Sequence, residues 1–162
     1  MDKTYGSKIL KYLSITGIVL TIALLIVSPF IVTAFFKSNF QVLDQSLIIK
    51  VCVSLIALAV PYILCLFKLK DLCNLIIKDS SFSFKTVKNL KFISYCAFSE
   101  LFIFIAISLY LKFSTEFFKY VLLTVPFIIV AFVSIVLGLS FLVLSQLFKN
   151  ATEIKLENDQ TI

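Results

Sequence analysis

The 162-residue sequence contains no histidine, no arginine and no tryptophan, and only 15% of its residues are charged. The absence of histidine excludes the imidazole base of a Ser-His-Asp triad and the commonest metal ligand. The absence of arginine removes the bidentate fork that most often contacts guanine or phosphate. We therefore expect no catalytic residues, no cofactor, no metal and no direct nucleic-acid binding, and we predict that the chain is not an enzyme.

The four cysteines, Cys52, Cys65, Cys73 and Cys96, have spacings typical of neither a zinc site nor a redox motif. Three of them lie inside apolar runs, where cysteine usually acts as a small hydrophobic side chain. We expect neither disulfide bonds nor a bound metal from them.

The chain is rich in apolar residues: 60% of it is hydrophobic, and its mean hydropathy is +1.08. A chain of this length has too little interior to bury that excess, so much of its surface must face lipid. A helix needs about 20 apolar residues to cross about 30 Å of hydrocarbon. We predict an all-α integral membrane four-helix bundle, one domain over residues 1–162, with spans at about Tyr12–Phe36, Leu47–Phe67, Phe92–Leu111 and Tyr120–Phe148.

The distribution of lysine predicts the orientation of the spans. Eleven lysines lie before the first span, between the second and third, and after the fourth. On the other side, three lie in the two remaining connections, and Lys50 lies near the start of the second span. Basic residues are enriched on the cytoplasmic side of a membrane. We therefore expect both termini and the central connection in the cytoplasm at the cell (plasma) membrane, with residues 149–162 forming a polar cytoplasmic tail.

The central connection is helical on both sides of a short break. Apolar residues at helical spacing continue the second helix to about Lys78, the polar segment 79–81 ends it, and Ser83 or Thr86 is positioned to cap the third helix. The pattern predicts a helical hairpin that protrudes a few turns into the cytoplasm. Its lysines either anchor the protein at anionic lipid headgroups or form the basic rim of a surface that docks a partner. The residues predicted to contact a docked partner are Phe82, Phe84, Lys85, Lys88, Glu157, Asn158 and Asp159.

Glu100 lies near the middle of the third span, where a charge costs at least about 2.5 kcal/mol. Its carboxyl group can serve as a hydrogen-bonding link between helices, as a sensor of ions or protons, or as a ligand contact. Thr21, Ser140 and the carbonyl group freed by Pro61 lie at comparable depth. We predict that Glu100, Thr21 and Ser140 form an intramembrane polar site.

The spans contain small residues and prolines. Ser134 and Gly138 lie four positions apart on the fourth span, a spacing that favours close approach of a second helix. Pro29, Pro61 and Pro126 lie within spans, where prolines are tolerated as kinks.

Two segments carry a resemblance to a known family: the ending Glu153–Ile162, and Phe82-Ser83-Phe84 followed by Val87–Lys91. They resemble the small four-span bacterial membrane proteins catalogued as domain of unknown function 2975. Members typically close on a similar tail and carry an aromatic residue at the loop tip, although Gln160 stands where leucine would be expected. The resemblance implies no activity, and it implies pairing with a small cytoplasmic helix-turn-helix DNA-binding protein.

Three functions are compatible with the sequence. The first is a regulatory membrane protein that captures or releases a small cytoplasmic transcription factor. The second is an immunity or envelope-stress protein directed against a membrane-active peptide. The third is a subunit of a transporter or channel. The first requires the central hairpin and the tail, the second requires the outer half of the bundle, and the third predicts a neighbouring gene for an ATPase.

Overall fold

The computed structural model describes residues 3–40, 44–78, 82–115, 118 and 124–160. The described residues form four long helices: α1 (Lys3–Phe40), α2 (Gln45–Ile77), α3 (Phe84–Ser114) and α4 (Thr124–Gln160). Each contains a segment of 31 to 34 residues that is long and apolar enough to cross a membrane. The prediction of four apolar spanning helices is confirmed, and each helix extends past its predicted span at one end or both.

Polar side chains cap the starts of α2 and α3. The Asp44 carboxylate accepts a hydrogen bond from the backbone N–H of Ser46 at 3.0 Å. The Ser83 hydroxyl accepts one from the backbone N–H of Thr86 at 3.3 Å. These bonds satisfy amide groups that have no partner within the first turn of a helix. Of the two residues predicted to cap α3, Ser83 is the cap, and Thr86 is buried in the first turn.

The end of α2 agrees with the sequence. The helix ends at Ile77, and the backbone N–H of Lys78 donates to the carbonyl oxygen of Asn74 at 3.2 Å. The prediction that α2 continues to about Lys78 is therefore confirmed. The predicted break at residues 79–81 lies outside the described residues.

Pro29 lies inside α1 without ending the helix. Proline has no backbone N–H, so the carbonyl oxygen of Leu25, one turn earlier, loses its usual helical partner. The hydroxyl of Ser28 donates a hydrogen bond to this oxygen at 2.8 Å. A serine hydroxyl can replace a missing backbone bond in this way where no water is available. Pro61 and Pro126 also lie within helices, so none of the three ends a span.

Each helix packs against its neighbours in the sequence. Helix α1 packs on α2, α2 on α3, and α3 on α4, and no other pair brings Cα atoms within 8 Å in the described parts of the chain. The described helices therefore form an open row, an arrangement that the prediction of a four-helix bundle did not specify. Sequence periodicity did not reveal this arrangement because lipid covers an unpaired apolar face about as well as a neighbouring helix does.

The predicted small-residue pair on α4 is buried against α3. Ser134 is 6% exposed, and Gly138 is buried as well. A methyl group at Gly138 would stand 2.8 Å from the ring of Phe98 on α3. The spacing of these two small residues therefore correctly predicted a close helix–helix approach.

A lysine joins α2 to α3 at the end of the row remote from their connection. The ammonium group of Lys50 donates a hydrogen bond to the carbonyl oxygen of Ser114 at 3.0 Å. The last carbonyl groups of a helix have no partner within the helix and carry its partial negative charge, so a cation is stabilised there. A small apolar cluster lies toward the same end of the row, with its buried members Val32, Phe36, Leu47 and Cys52.

Candidate functional site

The start of α3 and the last turns of α4 meet at one end of the row. The hydroxyl of Ser145 on α4 donates a hydrogen bond to the carbonyl oxygen of Val87 on α3 at 3.2 Å. The rings of Phe82 and Phe148 stack, with centroids 5.7 Å apart and planes inclined by 25°. The α2–α3 connection is therefore held against α4, and the two segments that carry the family resemblance lie side by side.

Several side chains are buried at this end of the molecule. Leu90 and Ile93 on α3 are 1% exposed, and Thr86 and Cys73 are fully buried. Thr152 on α4 is also buried. Helices α2, α3 and α4 thus all contribute buried side chains close to the α2–α3 connection.

An open depression lies beside Phe82 on this surface. It has a volume of about 440 Å³ and is lined by Phe82, Ala151, Ile154, Lys155 and Asn158. We call it the Phe82 depression. Its volume lies within the range of about 300–1,000 Å³ that is usual for ligand pockets. Its lining combines an aromatic, a small and an aliphatic side chain with a cation and an amide.

The structure brings together some of the residues predicted to dock a partner. Phe82 and Asn158 both line the Phe82 depression. The other predicted residues whose side chains are described are exposed on α3 or α4: Phe84, Lys85, Lys88 and Glu157. Asp159 belongs to the last turn of α4, and its side chain lies outside the described residues. The docking role of all seven stays a prediction.

Sequence reasoning missed the contribution of α4 to the depression. Ala151, Ile154 and Lys155 were assigned to a polar tail, yet α4 continues as a helix to Gln160. The signal was present in the sequence, because Phe148, Ala151, Lys155 and Asn158 recur at intervals of three and four residues along one helix face. The mixture of charged and polar residues around them obscured it.

Three lysine side chains lie over aromatic rings near the same end of the row. The ammonium group of Lys70 lies 5.1 Å from the centroid of the Phe67 ring, and that of Lys91 lies 5.9 Å from the centroid of Tyr95. Such cation–π contacts are attractive, and basic and aromatic side chains both collect at membrane–water boundaries. A third pair joins the helices themselves, with Lys68 of α2 lying 5.4 Å from the ring centroid of Phe92 on α3.

Glu100 is half-buried on α3, and no hydrogen bond or ion pair to its carboxyl group occurs within the described part of the chain. The hydroxyl of Thr21 donates to the carbonyl oxygen of Gly17 at 2.7 Å, and that of Ser140 donates to Val136 at 2.7 Å. Both hydroxyl groups thus bond the carbonyl one turn earlier in their own helix, as hydroxyl groups in helices readily do. An intramembrane site formed by Glu100, Thr21 and Ser140 stays a prediction.

The four cysteines are free thiols. No group of three or more potential metal-ligating side chains of Asp, Glu, His or Cys occurs among the described residues.

Four helices, each long and apolar enough to span a bilayer, define this chain as a multi-pass membrane protein. The chain belongs to the family described as "Protein of unknown function (DUF2975)", which matches residues 10–162. The matched region includes both segments on which the resemblance was based. No curated protein matches the chain, and no solved structure does either.

Proposed function

We propose that this protein is a non-enzymatic regulator that docks a small helix-turn-helix transcription factor at the cytoplasmic side of the membrane. The observation that carries the proposal is the Phe82 depression, which joins the α2–α3 connection to the end of α4. Phe82 is 50% exposed and Ile154 is 66% exposed. Protein interfaces concentrate affinity in a few such anchors surrounded by a polar rim.

The cytoplasmic position of this surface is supported by the lysine distribution. The lysine–aromatic pairs at Lys70 and Lys91 are typical of a boundary between hydrocarbon and water. Helix α2 continues for seven residues beyond Lys70, to Ile77, which corresponds to a rise of about 10 Å. These features support a helical hairpin that protrudes from the membrane and carries the Phe82 depression.

The chemistry of the surface favours a protein partner with an apolar side chain to insert. Lys85 and Lys88 are exposed near the start of α3, and Glu157 is exposed on α4. Rim charges of both signs tune the rate and specificity of association more than its affinity. The helix-turn-helix class of the partner is what the family resemblance implies.

The test is a crosslinking pull-down from native membranes with mass spectrometry of the captured proteins. Ile154→Ala removes an anchor from the depression, whereas Leu156→Ala is a matched control, because Leu156 is exposed but does not line the depression. We expect Ile154→Ala to reduce capture of a helix-turn-helix protein at least tenfold, the ratio for about 1.4 kcal/mol. We expect Leu156→Ala to leave the capture unchanged.

Two results would contradict the proposal. One is capture of no helix-turn-helix protein by the parent chain. The other is equal capture by the parent chain and the Ile154→Ala variant. Comparable amounts of each variant in the membrane fraction confirm that insertion is unaffected.

A further inference from the structure

An apolar groove lies between α1 and α2, on a different part of the molecule from the Phe82 depression. Its volume is about 290 Å³, and its main lining residues are Leu13, Gly17 and Leu20 of α1 with Tyr62, Leu66 and Leu69 of α2. Several of these side chains face the surroundings, including Leu13 at 64% exposed and Tyr62 at 49% exposed. We call it the α1–α2 groove.

Glycine at position 17 allows a close approach of α2 within the lining of the groove. A Cβ atom at Gly17 would stand 3.3 Å from the Cδ1 atom of Leu66 on α2, which is tighter than ordinary van der Waals contact. A large side chain at position 17 would therefore collide with Leu66 and alter the groove that both residues line.

Two lysines extend the groove at one end. Lys11 lies three residues before Ser14, and Lys70 lies four residues after Leu66, so each shares a helix face with a lining residue. Because Gly17 lies near Leu66 while the last turns of α1 share a buried cluster with the start of α2, the two helices run antiparallel and both lysines belong to the same end.

We propose that the α1–α2 groove binds one anionic phospholipid. One of its two acyl chains lies along the apolar lining, and its phosphate group lies between the ammonium groups of Lys11 and Lys70. The distribution of chemistry matches such an amphiphile, with an apolar channel within the membrane-spanning segments and two cations at one end. The volume is slightly below the range of about 300–1,000 Å³ for ligand pockets, which suits a single chain better than a bulky ligand.

Native mass spectrometry of the purified full-length chain tests the proposal. The chain is incubated with phosphatidylglycerol or with phosphatidylcholine of identical acyl chains, and the retained lipid is counted. We expect retention of one phosphatidylglycerol in preference to phosphatidylcholine. Lys11→Gln and Lys70→Gln should each lower that retention about fivefold, because a lysine near an anionic headgroup contributes on that order.

Matched variants separate this site from lipid bound elsewhere. The double variant Lys37→Gln/Lys112→Gln removes two exposed lysines near the C-terminal ends of α1 and α3, away from the lysine end of the groove. It should leave the retention of phosphatidylglycerol unchanged. Gly17→Leu alters the groove and should lower retention of the lipid, whereas Gly6→Leu should not, because no atom lies within 4 Å of a Cβ at Gly6.

Equal retention of the two lipids by the parent chain would overturn the proposal. So would a loss in the Lys37/Lys112 double variant as large as the loss in the Lys11→Gln and Lys70→Gln variants. If Gly17→Leu does not fold, the lysine variants decide the matter, since they leave the packing of the groove intact.

Discussion

The hydroxyl of Ser94 on α3 donates a hydrogen bond of 2.7 Å to the backbone carbonyl oxygen of Gly138 on α4. The same glycine lies under the ring of Phe98, one helical turn further along α3. The absence of a side chain at position 138 thus serves two contacts, because it exposes the carbonyl group to Ser94 and leaves room for the aromatic ring. Small residues at membrane helix interfaces allow this combination of close packing and interhelical hydrogen bonding.

Gly138→Ala is predicted to destabilise the protein by about 1–3 kcal/mol, the usual cost of forcing extra atoms into a packed interface. The added methyl group would stand 2.8 Å from the Phe98 ring. Thermal unfolding in detergent, followed with a dye that reacts with the buried thiol of Cys73, measures the change. Adding Phe98→Leu should restore part of the loss. Gly6→Ala is the control and should not lower the unfolding temperature; an equal fall in both variants would contradict the assignment of the contact.

Glu100→Gln is predicted to be tolerated, whereas Glu100→Lys should impair insertion or stability. No cation pairs with Glu100 within the described residues, so glutamine keeps the polar atoms and loses no ion pair. A lysine at the centre of a span costs roughly 2.5–3.5 kcal/mol. The yield of inserted protein and its thermal stability distinguish the two variants. Equal damage from glutamine and lysine would mean that the negative charge of Glu100 is required.

The orientation predicted from the lysines is tested with reporters whose activity depends on compartment. A reporter fused after Lys78 or at Ile162 should be active only in the cytoplasm, and one inserted near Asn39 or Thr115 only outside it. The physical reason is the retention of basic loops on the cytoplasmic side. An active extracytoplasmic reporter at Ile162 would reverse the orientation and would remove the Phe82 depression from the side where the proposed partner resides.

The sequence predicted the elements of the fold better than their assembly. The four spans follow from the length of the apolar runs, and the end of α2 near Lys78 follows from helical spacing, because both are local properties of the chain. The choice of helix neighbours depends on differences between lipid-facing and helix-facing contacts that are small in a membrane. This is why the open row, with α1 packed on α2 alone, was not predicted.

The candidate site shows the same division. Phe82 and Asn158 were both identified from segments of the sequence, but the contact between Phe82 and Phe148 depends on the register of α3 against α4, which no local pattern specifies. Thr21 and Ser140 were grouped with Glu100 by depth alone. Depth does not determine direction around a helix, and both hydroxyl groups bond within their own helices.

The continuity of α4 has a mechanical consequence. Its 37 residues form one helix from Thr124 to Gln160, a rod about 55 Å long at 1.5 Å per residue. A change of tilt is one way in which a membrane-spanning helix accommodates a change in the thickness of the bilayer. No break in the helix separates the apolar part of α4 from its last turns. A tilt of about 10° therefore displaces one end of the helix sideways relative to the other by roughly 10 Å. The position of Ile154 and Asn158 is therefore geometrically coupled to the thickness of the surrounding membrane.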